Sequence, residues 1–306
     1  MNYKMISYYI GRILLVEGIL LIFPAIGALI YGDDTLIAFA VTIASLAVTG
    51  LIAVKQKPQK TNIYAKEGYV IVALSWILMS LFGALPFFVS GHIPNFIDAF
   101  FETVSGFTTT GSTILTNVEA LPKSLLFWRS FTHWIGGMGI LVFMIAIMPK
   151  TESNSMHVMR AEVPGPTVGK LVSKLRATAR ILYGIYCVLT IVQIILLVVG
   201  GMPVFDSILN SFASAGTGGF AILGNSIEGY NNLYFEIVIG VFMLIFGVNF
   251  NLYYLILAKH GKQALKSEEL RWYIGIIVVS VVVIALSLIN ADHDAGYSFR
   301  HSFFQV

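Results

Sequence analysis

Residues 100–113 read FFETVSGFTTTGST. An apolar, helix-like run stops there, and Thr108, Thr109, Thr110, Gly111, Ser112 and Thr113 follow. On a soluble surface such a stretch would be an ordinary turn. Its surroundings are not those of a soluble surface. Of the 306 residues, 57% are hydrophobic and 11% are charged, whereas a soluble domain carries about 25% charged residues. That is too little polar surface to cover a water-exposed fold, so the chain reads as an all-α integral membrane protein. The net charge of +3 gives no sign of a nucleic-acid partner. The only cysteine, Cys187, leaves no internal disulfide to form.

A bilayer takes roughly 20 apolar residues of helix to cross. Seven runs qualify: 6–30, 35–54, 68–91, 124–149, 181–200, 233–257 and 272–290. The first begins basic, but it is too long for a signal peptide and has no small-x-small cleavage site, so it reads as a retained helix. Sixteen of the nineteen Lys and Arg fall on one side of the resulting topology, and only Lys123, Arg129 and Arg300 fall on the other. The excess of basic loops puts the N-terminus in the cytoplasm. The outer side collects Asp33, Asp34, Asp98, Glu119, Asp206, Glu228, Asp292 and Asp294, a negative mouth that favours cations.

Run 68–91 ends outside and run 124–149 begins outside, so residues 93–122 start and finish on one face. They nevertheless contain FIDAFFETVSGF. Ten or so helical residues reach about 15 Å, half a membrane. The economical reading is a half-helix that dips in, followed by an extended return. Non-helical backbone at that depth survives only inside protein or against a water-filled cavity. The layout recurs in GGMPVFDSILNSFASAGTGGF between runs 181–200 and 233–257, with Thr110-Gly111 pairing Thr217-Gly218 at an offset of 107. It begins again after run 272–290, where Phe303-Phe304 answers Phe100-Phe101. The chain therefore divides into a two-helix extension (1–66), a first pore repeat (67–150), a cytoplasmic linker with a second repeat (151–266) and the start of a third (267–306).

A half-helix entering from outside ends near the membrane centre, where its macrodipole favours a cation. The small extended residues beyond it can turn carbonyl oxygens into a pore and replace a hydration shell. Glycine supplies the positive φ that such backbone visits. Thr and Ser add hydroxyls without bulk. The plain alternative is a pair of polar turns on the outer surface.

The stretch FFETVSGFTTTGST, the following FWRSFTHWIGGMGILVFMIAIMP and SAGTGGF resemble the Trk/Ktr/HKT superfamily of potassium-uptake proteins, above all its TrkH-type membrane subunits. The resemblance implies four span–half-helix–filter–span repeats around a pseudo-fourfold pore, as in potassium channels. By position, Gly111 and Gly218 become the first two filter glycines. Carbonyls of Thr109, Thr110, Gly111, Ser112, Gly216, Thr217, Gly218 and Gly219 would line the K⁺ path. The resemblance also implies a homodimer in the bacterial inner membrane, bound by a cytosolic ring of nucleotide-binding, TrkA-type subunits. Four filters are expected of the family. Val306 falls eight residues before the position of a third filter glycine, counted from Phe303-Phe304, so the chain is expected to be part of a longer protein.

Arg129 and His133 lie four apart and share a helix face. They are expected to tie to half-helix carbonyls, with electrostatic tuning of the filter as the alternative. Glu102 reads as a support behind the filter. Gly136, Gly137 and Gly139 read as close-packing positions rather than a hinge. Glu17 is expected to be partnered within the bundle, with Arg12 the candidate. The segment SKLRATAR (173–180) reads as an amphipathic helix on the inner leaflet or a docking site for the regulator. A Na⁺- or H⁺-coupled symporter is the alternative within transport. An intramembrane hydrolase, with a Ser or Thr of TTTGST as nucleophile and His133 as base, is the alternative outside it. That reading lacks a Gly-x-Ser-x-Gly elbow. The sequence carries no metal cluster, phosphate loop or dinucleotide fingerprint, so no bound cofactor is expected.

Overall fold

The computed structural model describes residues 2–55, 65–139, 175–291 and 294–306. Among these residues every regular element is helical. The N-terminal run forms α1 (Tyr3–Leu20) and α2 (Ile22–Tyr31), nearly continuous across Leu21, and α3 (Leu36–Lys55) returns beside them. Gly11 and Gly50 set the approach of α1 to α3. A Cβ on Gly11 would lie 2.8 Å from the Gly50 carbonyl oxygen, so only glycine permits this spacing.

The order long helix, short helix, extended return, helix then occurs twice. In the first instance α4 (Ala65–Gly83) continues into α5 (Leu85–Val89), and α6 (Phe96–Phe107) follows. An extended return leads to α7 (Lys123–Met138). In the second, α8 (Leu175–Val199) leads to α9 (Val204–Ala215) and, after its return, to α10 (Leu233–Gly247). The short helices α6 and α9 have 12 residues each, about 18 Å at 1.5 Å per residue. Both pack on α7, which stands between them and also touches α2. Beyond α10 come α11 (Phe250–Leu257), α12 (Gly261–Leu265), α13 (Glu268–Asn290) and α14 (Ala295–Gln305), the last two repeating the opening of the pattern.

Three expectations change. The run 233–257 is not one straight helix: α10 and α11 meet at 87°. Asn249 caps α11 by accepting from the Asn251 amide (3.0 Å), a role that competes with helix continuation. Tyr273 and Tyr253 donate to the Leu244 and Ile245 carbonyls at the break (3.0 and 2.6 Å), where a helix end leaves carbonyls short of intrahelical partners; Ile245 O also accepts from the Val248 amide (3.2 Å). Residues 175–180 do not form a separate interfacial helix; they are the first turns of the 25-residue α8. The rest of that segment, from 150 to 174, lies outside the described residues, as does the remainder of the run 124–149 beyond Gly139. Glu17 is fully buried with no hydrogen-bond partner on either carboxylate oxygen among the described residues. Arg12 instead lies over the Tyr8 ring, 4.9 Å from its centroid. Five positions along one helix do not bring two side chains face to face.

Candidate ion-filter site

The two returns are built alike. At the end of α6 the Thr109 amide donates to Gly106 O (3.0 Å) and the Thr110 amide to Ser105 O (2.9 Å). At the end of α9 the Thr217 amide donates to Ser214 O (2.8 Å) and the Gly218 amide to Ala213 O (3.2 Å). This is the Schellman pattern, whose pivotal residue adopts the left-handed conformation and is usually glycine. Here it is threonine both times: φ is 55° at Thr109 and 54° at Thr217. A β-branched residue at positive φ is a true outlier, costing about 1–3 kcal/mol, and such strain gathers where a ligand is clamped. Two residues further on, Gly111 and Gly219 also have positive φ, 78° and 74°.

This backbone correspondence runs at an offset of 108 (109 to 217, 111 to 219). The pairing of Thr110-Gly111 with Thr217-Gly218 is therefore one residue out. Gly219, not Gly218, is the conformational counterpart of Gly111. Gly218 has a different duty. A Cβ there would sit 2.9 Å from Thr109 O and would collide with the His133 ring. A Cβ on Gly111 would overlap the Gly218 carbonyl. The returns thus touch through bare backbone. Gly216 is a buried helix cap whose Cβ would meet His133 O at 2.7 Å, whereas Thr110, Ser112, Thr217 and Gly219 are exposed.

The groups behind the returns come largely from one stripe of α7. Arg129, His133, Gly136 and Gly137 recur at helical spacing on the face between α6 and α9. Gly136 abuts the Phe107 carbonyl, and Gly137 abuts Gly216 Cα and the Tyr186 hydroxyl. Tyr186 in turn donates to Trp134 O (2.9 Å). Glu102, buried in α6, accepts from the Thr113 hydroxyl (2.9 and 3.0 Å), the Ile114 amide (3.1 Å) and Arg129 Nε (2.6 Å). Arg129 Nη1 donates to Ala221 O (2.8 Å). Its guanidinium lies 3.6 Å from the centroid of Phe220. The other face of that ring stacks on His133 at 3.9 Å and 12°.

The Arg129 partners are thus a carboxylate and a carbonyl of the second return, rather than the half-helix carbonyls expected from sequence. His133 lies near the carbonyls of Ser105 and Ala213, but neither ring nitrogen is in hydrogen-bonding geometry with any group among the described residues. A base must reach its nucleophile's proton, and His133 hydrogen-bonds neither Ser112 nor any threonine of the return. No group of three or more His, Cys, Asp or Glu suited to a metal ion occurs among the described residues.

The profile of a family described as "TrkH: Cation transport protein" matches residues 36–306. The Trk system potassium uptake protein TrkH of Salmonella typhimurium is 35% identical over 313 residues, covering 100% of this chain and 65% of its own length. The Trk system potassium uptake protein TrkG of Escherichia coli is 31% identical over 306 residues. The crystal structure of the potassium transporter TrkH from Vibrio parahaemolyticus superposes with a TM-score of 0.86 at 31% identity, over 100% of this chain and 64% of that one. The chain spans about 65% of the length of the curated relatives it matches.

Proposed function

Because this chain belongs to the TrkH family of cation transport proteins, we propose that it forms part of a K⁺-uptake pathway in a bacterial plasma membrane, with its N-terminus in the cytoplasm. The ion passes along backbone carbonyls of the two returns: Thr109, Thr110, Gly111 and Ser112 in the first, and Thr217, Gly218 and Gly219 in the second. Gly216 caps the helix behind them. Glu102, Arg129 and His133 support the returns from behind. The proposal extends to a homodimer and to a cytosolic nucleotide-binding ring as partners. The transport step involves no covalent chemistry.

One observation carries the reading. Two returns that share only a Thr-x-Gly among otherwise different side chains follow the same strained backbone, left-handed at the threonine and again at the glycine two residues later. Beyond that Thr-x-Gly, the side chains of TTTGS and GTGGF are not duplicated. The backbone is, and carbonyl direction is what backbone dihedrals set. The short helices point their C-terminal, partially negative ends at the same place.

The test is Gly111→Ser in the protein that carries this chain, expressed in cells lacking their own K⁺ uptake. A serine at φ 78° is strained, and its Cβ overlaps the Gly218 carbonyl. Displacing one carbonyl ligand is expected to lower K⁺ over Na⁺ selectivity about tenfold, the equivalent of about 1.4 kcal/mol. An unchanged ratio at normal membrane abundance would show the filter assignment to be wrong.

A further inference from the structure

Arg129 holds three things at once, and they belong to two different returns. Nε meets Glu102, whose carboxylate also receives the Thr113 hydroxyl and the Ile114 amide of the first return. Nη1 meets the Ala221 carbonyl, two residues past Gly219 in the second return. The guanidinium plane rests on Phe220, the residue directly after Gly219. Arg129 and Glu102 are both almost wholly buried, with side-chain exposures of 2% and 0%, so water does not compete for these bonds. From this geometry we infer that Arg129 is a selectivity-determining positioning residue: it cross-links the second filter return to the first and fixes the distance between their carbonyls. This inference rests on the filter reading above.

The chemistry demands arginine. A guanidinium presents several N–H groups in one rigid plane, so a carboxylate and a carbonyl can be bound in different directions while an aromatic ring takes the face. An ammonium keeps the charge, and so keeps Glu102 paired, but it is a point donor with no plane to lay on Phe220. Lysine at 129 therefore preserves the first-return contact and releases the second. His133 completes the clamp from below, stacked on the far face of the same ring.

The experiment compares Arg129→Lys, Phe220→Leu and Gly111→Ser in the protein that carries this chain, measuring membrane abundance, Rb⁺ uptake and Na⁺ uptake for each. Arg129→Lys is expected to reach the membrane and to lose about tenfold in K⁺-like over Na⁺ selectivity, on the scale of one lost charge-assisted hydrogen bond. Phe220→Leu is expected to shift the ratio in the same direction by less. A merely structural role would lower Rb⁺ and Na⁺ uptake together and leave the ratio alone; that result overturns the inference. If Arg129→Lys fails to reach the membrane, Phe220→Leu decides, and an unchanged ratio there overturns it equally. When Gly111→Ser loses selectivity but the other two do not, the cross-link fails while the filter reading stands. When all three keep it, the filter reading fails as well.

Discussion

The first and second returns follow the same backbone path but are fastened by different means. The first hangs from side-chain hydrogen bonds: Glu102 to Thr113 and Ile114, and Thr108 to Thr110 at 2.7 Å. The second has glycine where such donors would be, and is held by contact and by the Arg129 hydrogen bond to its Ala221 carbonyl. Gly216 and Gly218 lie flush against His133, and Phe220 is sandwiched between His133 and Arg129. A hydroxyl-rich loop can be tethered through its own side chains. A glycine loop can only be cast against a rigid surface, and α7 is that surface. The two returns should therefore fail differently: the first when a charge or hydrogen bond is removed, the second also when volume is added.

The largest effect is expected at the tether. Glu102→Gln leaves Arg129 buried without a countercharge, and removing one partner of a buried pair costs about 3–5 kcal/mol. Thermal unfolding in detergent, followed by loss of the monodisperse peak, should show it. If the second return is truly independent of the tether, Phe220 burial probed by crosslinking will not change; the cross-link through Arg129 predicts that it will. Gly218→Ala comes next. Its methyl would have to displace the His133 ring, and overpacking of this kind costs about 1–3 kcal/mol. His133→Ala should recover part of that loss, because it opens the space the methyl needs; no recovery would mean that the cast is not His133.

A smaller effect separates what the returns share from what divides them. Thr109→Gly and Thr217→Gly each relieve a left-handed threonine. Each should change stability by about 1 kcal/mol or less, since relieved strain is set against the added freedom of glycine in the unfolded chain. The two should agree in sign, because the backbone is the same. Opposite signs would mean that the matched dihedrals do not carry matched strain.

The short helices were legible in the sequence because amphipathic run and small-residue return are both local. FIDAFFETVSGF matches α6 residue for residue. The shared face of Arg129 and His133 followed from helical spacing alone. The register of the two returns was not legible. Thr-Gly at 110 and Thr-Gly at 217 match as letters, while the chain matches 109 with 217, because register is set where each helix ends and not by which residues recur. Aligning the helix ends, Phe107 with Ala215, would have found it. The break after Gly247 was hidden for a related reason: its carbonyls are taken by Tyr253 and by Tyr273 of another helix. Likewise, Arg129 meets Ala221 across 92 positions of chain, a contact that no local spacing announces.

Helix α14 offers the weakest but cleanest contrast. In α6 the half-helix supplies the acid and the following helix α7 the base. In α14 the helix supplies the base, Arg300, and α10 supplies the acid, Glu236, through a two-pronged pair at 2.6 and 2.5 Å. The pair fastens α14 to α10, beside the contact of Phe303 with Gly240. Its polarity is reversed, and Arg300 is far more exposed than Arg129, at 36% against 2%. Glu236 is largely buried, but water reaches the Arg300 side and can replace it there, so the pair contributes less than the fully buried Arg129–Glu102 pair. Arg300→Gln is therefore expected to shift the unfolding midpoint far less than Glu102→Gln does, and the shift should shrink further as salt is raised, because exposed pairs are screened. A loss at Arg300 as large and as salt-insensitive as that at Glu102 would mean that this contact is buried in the working protein, and that α14 is held as rigidly as α6.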